Sequence, residues 1–259
     1  MEKYKLLKSE IKAIGIRTLF RIQALIDIPK HGVKAGDLGG FIEKEDNLSH
    51  ERDAWVGEDA SVYGDAFIVR DVLISGNATV YQSKLWGDMV VKGYVNIRES
   101  TINGKSCTIE GKALIQNVNL EIENGLINGE TTMMNVFGRN PIRDFGLQGN
   151  ALIIGKYGVQ MVLGGNDILI GGDAKILNAK HILGSHITIT DNAVLEEGAG
   201  IKGTSITLCD YAIVTGSVNV SDLVVVSEVA RIFSSKDDCK TILTGRHVNG
   251  DVELDINNL

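Results

Sequence analysis

The sequence predicts an all-β protein whose chain winds as a coil of short parallel strands, and three observations carry that expectation. Five consecutive units recur at a strict spacing of six: Asp53-Ala54-Trp55-Val56, Asp59-Ala60-Ser61-Val62, Asp65-Ala66-Phe67-Ile68, Asp71-Val72-Leu73-Ile74 and Asn77-Ala78-Thr79-Val80. After a slip near Trp86 the branched aliphatic returns at Val91, Ile97, Ile109 and Ile115. It runs again through Ile170, Ile176, Ile182, Ile189, Leu195, Ile201, Leu208, Val214, Val220, Val226 and Ile232. Finally, 30 Gly against 2 Pro and 5% aromatics mark a chain that turns often and fills its interior with small and branched side chains, which argues against an all-helical protein.

Each place in the unit has a physical reason. A period of six matches neither the 3.6-residue face of a helix nor the two-residue alternation of a lone strand; it matches a short strand plus a tight corner. Three units then close one triangular coil of about eighteen residues, and stacked coils pair their backbones above and below. Asp or Asn in first place suits a left-handed or Asx-type corner. The small residue beside it fits where walls converge, and the aliphatic fills the interior at roughly 1.5–3 kcal/mol apiece.

Residues 53–232, with these repeats, resemble the hexapeptide-repeat family of left-handed parallel β-helices. The run Gly32-Val33-Lys34-Ala35-Gly36-Asp37-Leu38-Gly39-Gly40-Phe41-Ile42, followed by Asn47-Leu48-Ser49 and Ala54-Trp55-Val56, is similar to the entrance of YdcK-like β-helix proteins of bacteria and phages. The resemblance implies a left-handed triangular prism. The expected organisation is an N-terminal β cap (1–52), a first stack (53–123), an irregular joint or protruding loop (124–165), a second stack (166–235) and a C-terminal cover (236–259). In the cap, Phe20, Ile22, Ala24, Ile26 and Ile28 alternate as one strand ended by Pro29. Both ends need covering because open strand edges invite aggregation.

A formal charge of -7, from 26 basic and 33 acidic residues, is unfavourable for gripping nucleic acid or an anionic membrane through a broad basic surface. Cys107, Cys209 and Cys239 form no C-x-x-C pair, so neither a disulfide framework nor a zinc knuckle is expected. Charges interrupt every apolar stretch, which predicts a soluble, cytoplasmic chain. Asn47-Leu48-Ser49 matches a glycosylation sequon by chance on this reading. The ladder Asp53, Asp59, Asp65 and Asp71 invites comparison with a DNA-like acidic stripe, but three corners per coil bring only Asp53 and Asp71 onto one edge.

Enzymes of the resembling family are commonly acyltransferases that use a coil histidine as base. Of His31, His50, His181, His186 and His247, only His181 and His186 lie within repeats, and they are the candidate bases; a plain corner or solvent-facing role is the alternative. No third ligand joins them, so no metal site is expected, and Gly164-Gly165 and Gly171-Gly172 read as corners rather than phosphate cradles. No cofactor and no catalytic residue is assigned. Binding leads instead: outward Trp55, Tyr63, Phe67, Tyr81 and Trp86, with Phe137 and Arg139 from the central segment, form the candidate surface. These aromatics also have the simpler use of stacking on neighbouring coils. The reading is a non-enzymatic protein-binding module, oligomeric state open. Its partner is a host or phage protein; the likeness to phage proteins implies an inhibitor that sterically blocks a nucleic-acid enzyme such as a CRISPR RNA-guided nuclease. The alternative is an acyltransferase based on His181 or His186.

Overall fold

A step of six residues carries the chain from one wall to the next, and three steps return it to the first wall one coil further on. The computed structural model shows this sorting directly. It describes residues 2–99, 101–110, 112, 114–116, 119–127, 129–130, 132–134, 136–137, 142–143, 146, 148–150, 152–153, 161–163, 167, 169–173, 175–176, 181–182, 185–195, 200–215, 219–221, 224–233, 242–244 and 247–258. On one wall Val62, Val80, Ile97, Ile115, Met133, Ile153 and Ile176 pair in succession, and the column continues through Leu195, Val214 and Ile232 to Leu254. Ile68, Leu85, Ile102 and Leu120 align on the second wall. Val56, Ile74, Val91, Ile109 and Ile127 align on the third. Later, Ile170, Ile189, Leu208, Val226 and Val248 form a column of their own. Val56, Val62, Ile68, Ile74, Val80, Leu85, Val91 and Ile97 are all shut off from solvent.

The protein is therefore an all-β solenoid of stacked parallel strands, consistent with a parallel β-helix. Its described strands form sheets of 14, 13 and 5 members. The early strands are β1 (Tyr4–Ile14), β2 (Arg17–Ala24), β3 (Leu38–Ile42), β4 (Trp55–Val56), β5 (Ser61–Tyr63), β6 (Phe67–Ile74), β7 (Thr79–Tyr81), β8 (Lys84–Val91), β9 (Asn96–Arg98) and β10 (Thr101–Ile109). β6 and β8 carry positive φ at Arg70 and Gly87, which stand opposite each other, so each strand turns a corner without breaking and serves two walls. The slip seen in the sequence lies just before β8, where Val80 and Leu85 are five residues apart rather than six.

The corners differ from expectation in one respect. In the repeats of 53–80 the left-handed residue is the one before the Asp or Asn: Arg52, Glu58, Gly64, Arg70 and Gly76 have φ between 53° and 69°. Gln82 (48°) stands likewise before Ser83, and in later coils Asp167, Asp191 and Asp210 are left-handed themselves. At several corners the N–H of a buried alanine three positions after the turn's first residue closes it, as Ala60 does on the Gly57 carbonyl (3.2 Å), Ala212 on Cys209 (3.1 Å) and Ala230 on Ser227 (3.2 Å). The small residue thus sits where the chain is tightest. An L residue in left-handed backbone is strained by roughly 1–2 kcal/mol, and here the strain recurs in coil after coil.

In the central segment the described strands carry on the first wall. Leu114 pairs with Thr132, Thr132 with Leu152 and Leu152 with Lys175, so the sheet runs on through 124–165. The sequence period breaks there because the partners lie twenty and then twenty-three residues apart instead of eighteen.

At the N-terminal end β1 and β2 form an antiparallel hairpin, β2 pairs antiparallel with β3, and β3 runs parallel to β5, so the cap extends one wall. β2 stops at Ala24 rather than continuing to Ile28. β1 escapes the sequence pattern because a register shift between Leu7 and Ile11 breaks its alternation. Tyr4, Ile22, Ala24, Ile28, Val33 and Leu48 join the coil core and plug the end. Gly39 and Gly40 permit this docking: a Cβ at either would fall 2.5 Å from the Val56 carbonyl or 2.6 Å from that of Ala60. Asn47 is buried, its amide donating to the carbonyls of Gly64 (3.1 Å) and Ala66 (2.8 Å), so it braces the cap and is closed to glycosylation. At the far end Glu253–Asp255 pairs with Arg231–Phe233, and buried Ile256 closes the core. No helix among the described residues is long and apolar enough to cross a membrane.

Gly15 and Gly76 share positive φ, but a Cβ at Gly15 meets open space while one at Gly76 lies 2.6 Å from the Gly93 nitrogen. Gly76→Ala is expected to lower the thermal midpoint, followed by circular dichroism, clearly more than Gly15→Ala, whose cost is backbone strain of about 1 kcal/mol. Equal shifts would contradict the close contact between corners.

Candidate functional site

The outward aromatics divide into covered and open sets. Trp55 is only 2% exposed and belongs to the core, its ring edge 2.7 Å from where a Cβ on Gly39 would lie. Tyr63 is 6% exposed. These two do not present a surface, and for Tyr63 the reason is the hairpin. Beyond its register shift, β1–β2 lies over the outer face of the first wall, where Leu19, Phe41 and Tyr63 form a second buried cluster flanked by Ile14 and Tyr81. Arg21 sits 4.3 Å over the Phe41 ring and Arg17 5.7 Å over Tyr81. Arg17 also grips both Glu43 oxygens at 2.7 and 2.9 Å, and the Lys12 ammonium donates to the Asp59 carbonyl at 2.8 Å. The Tyr63 and Tyr81 rings lie 4.9 Å apart along the wall beneath this strap, tilted 33° to each other.

Phe67 and Trp86 remain, 38% and 40% exposed on the outer face of β6 and β8. Register places Phe67 beside Lys84 and Val69 beside Trp86. The Arg70 guanidinium lies 3.7 Å over the Trp86 ring, a cation–π contact that holds the indole against the wall. Next to it, Lys44, Asp46, Asp65, Ala66, Phe67 and Lys84 line a shallow depression of about 320 Å³. Lys44 and Asp65 pair across it at 3.1 Å. Arg70 and Lys84 were not candidates from sequence; the coil spacing, seventeen residues between Val69 and Trp86, was the signal that brings them alongside. Phe137 stands in a strand paired with Asn119 and Val162, while its side chain, like all of Arg139, lies outside the described residues.

The histidines have mostly structural surroundings. His50 stacks on Tyr4 (4.3 Å) and accepts the Lys3 backbone N–H at 3.1 Å. Burial, and then the neighbouring Lys30 charge, lower the pKa of His31. His181 falls in the strand His181–Ile182. His186 stands at the next corner with its Nδ1 2.8 Å from Asp167 Oδ2, both side chains about half exposed. Asp167 precedes it by nineteen residues, one coil back, and was missed for want of that register. Burial, followed by the charge of Asp210, raises the Cys209 pKa and disfavours a thiolate. Among the described residues no three His, Cys, Asp or Glu side chains are arranged to hold a metal ion.

The aspartate ladder resolves as its geometry requires. The Asp53 N–H points at Asp71 Oδ1 (3.5 Å), and Asp71 pairs in register with Asp88. This edge is countered by Lys30, 3.0 Å from Asp88 and 3.8 Å from Asp71, and by Arg52, 3.7 Å from Asp71. Behind it Lys3 is buried, its ammonium donating to the carbonyls of Ser49 (2.7 Å) and Arg52 (3.3 Å). Desolvation lowers its pKa to about 8, against the opposing pull of Asp53 and Asp71. No protein-family model matches the chain, and no curated protein matches its sequence.

Because the Lys3 pKa is lower folded than unfolded, the native protein sheds this proton first. The penalty of its burial is full below pH 8 and relieved as pH rises towards the ordinary value of 10.5. The thermal midpoint of the wild type relative to Lys3→Met is therefore expected to improve between pH 7.5 and 9.5. A difference that stays flat across this window would show that the amine is not desolvated.

Proposed function

We propose that the protein is a non-enzymatic binding module that acts by occupying a macromolecular partner through the Phe67–Trp86 face. One observation carries the reading: the N-terminal hairpin and the core take up Tyr63, Tyr81 and Trp55, yet Trp86 stays open, held by Arg70, on a wall whose strands are paired on both sides. Trp and Arg are the residues most often dominant in protein interfaces, and a rigid platform loses little entropy on docking. The finer proposal, from the likeness to phage proteins, is a steric inhibitor of a nucleic-acid enzyme such as a CRISPR RNA-guided nuclease. The formal charge of -7 supports it, since such enzymes present basic channels. Affinity capture from bacterial host lysate is expected to recover a specific protein with the wild type and with Tyr211→Ala, an exposed aromatic elsewhere on the solenoid. Trp86→Ala should lose it by a factor of about thirty, the scale of an interface anchor. Recovery of nothing specific, or of a partner indifferent to Trp86, contradicts the proposal; a recovered nuclease is then assayed for inhibition.

A second reading rests on the His186–Asp167 contact. A carboxylate on Nδ1 leaves Nε2 free to take a proton, as an acyltransferase base must. It predicts thermal stabilisation by acetyl-CoA and acyl transfer that disappears in His186→Asn; no response to acetyl-CoA removes it.

A further inference from the structure

We infer that the segment recognised at the Phe67–Trp86 face is an acidic, extended peptide carrying one large apolar side chain, a conclusion that rests on that face being the contact surface. The argument is one of unspent charge. In the cap and early coils Arg17, Arg21, Lys30, Lys34, Lys44 and Arg52 each have a carboxylate partner. Arg70 and Lys84, like Lys5, Lys8 and Lys92, form no ion pair among the described residues; what sets these two apart is that they flank the open aromatics, Arg70 over the Trp86 ring and Lys84 beside Phe67. On a chain of net charge -7, two free cations beside the two open aromatics of one wall are a local reversal of sign.

Their placement sets the shape of the ligand. Lys84 lies beside Phe67 in register and two residues before Trp86 on the same face, about 6.6 Å along the strand. Arg70 stands over Trp86. An extended chain lying along this face also repeats its side chains every second residue, so carboxylates at alternate positions reach Lys84 and Arg70. An apolar residue two further back enters the depression against Ala66 and Phe67, where Lys44 already neutralises Asp65. Single-stranded nucleic acid fits less well. Its charge on every nucleotide brings phosphate against Asp46 and Asp65 as well, and one face of the Trp86 ring is already taken by the guanidinium.

The test titrates the whole protein with acetyl-Phe-Ala-Glu-Ala-Glu-amide, its counterpart with Lys in place of Glu, and a ten-nucleotide oligothymidylate, each to millimolar concentration. Tryptophan emission is the readout, since Trp55 is buried and Trp86 is exposed. The Glu peptide is expected to give a saturable, salt-weakened change, at least five-fold weaker in Arg70→Gln and in Lys84→Gln. Lys84→Glu should bind the Lys peptide better than the Glu peptide, which a misfolded variant would not do. Equal binding of both peptides by the wild type, saturation by oligothymidylate alone, or saturation by none overturns the inference. If Trp86-dependent capture of a partner survives such a result, the acidic segment is wrong and the binding module stands. If that capture also fails, the surface itself is wrong.

Discussion

The structure depends on one constraint: the backbone of each coil must find its hydrogen-bond partners in the coils before and after it, while one side chain per wall points into a dry interior. In the early coils that holds the inward residues about six apart and the coil at seventeen or eighteen residues, while later coils lengthen to between eighteen and twenty-three and keep the same column in line. Wherever Val62, Val80, Ile97, Ile115 and Met133 stand in line, the wall is correct; a slip of one residue would turn every aliphatic on it outward. The five-residue step before β8 is tolerated because β6 and β8 stay paired along their whole length, through the corner they share.

The surface follows from the same constraint. With the interior committed to aliphatics, the few aromatics lie at an end or on an outer face, and the fold then disposes of most of them. Trp55 helps seal the first coil, and the hairpin draws Tyr63 and Tyr81 beneath Leu19, Arg17 and Arg21. Of the described aromatics, Phe67 and Trp86 stay open side by side on one wall with cations beside them, while Tyr94 and Tyr211 are exposed singly elsewhere. The aspartates, which look like a stripe when read along the chain, are divided among corners, and the edge that does stack is met by Lys3, Lys30 and Arg52.

Legibility from sequence tracked how local the cause was. The inward columns could be read because Ile170, Ile176 and Ile182 announce a three-wall cycle that Ile189, Leu195 and Ile201 repeat. The corner was misplaced by one residue because Asp53, Asp59 and Asp65 are conspicuous, whereas the strained positions are filled indifferently by Arg52, Glu58 and Gly64. The burial of Tyr63 was out of reach, since it requires knowing that β1 exists and that its register shift carries the hairpin over the wall. Arg70 against Trp86 and Asp167 against His186 lay hidden for a simpler reason. Each pair is one coil apart, and the coil length changes from seventeen to nineteen between them.

Neighbouring residues on one strand provide the most direct test of the account. Val80 points into the shaft and Thr79 away from it, so circular dichroism melts of Val80→Asp and Thr79→Asp should differ sharply. An unpaired carboxylate in the interior costs several kcal/mol, enough to abolish the cooperative β-sheet transition, while the outward one should leave the midpoint within a few degrees. Two variants that melt alike would mean that this wall has no inside.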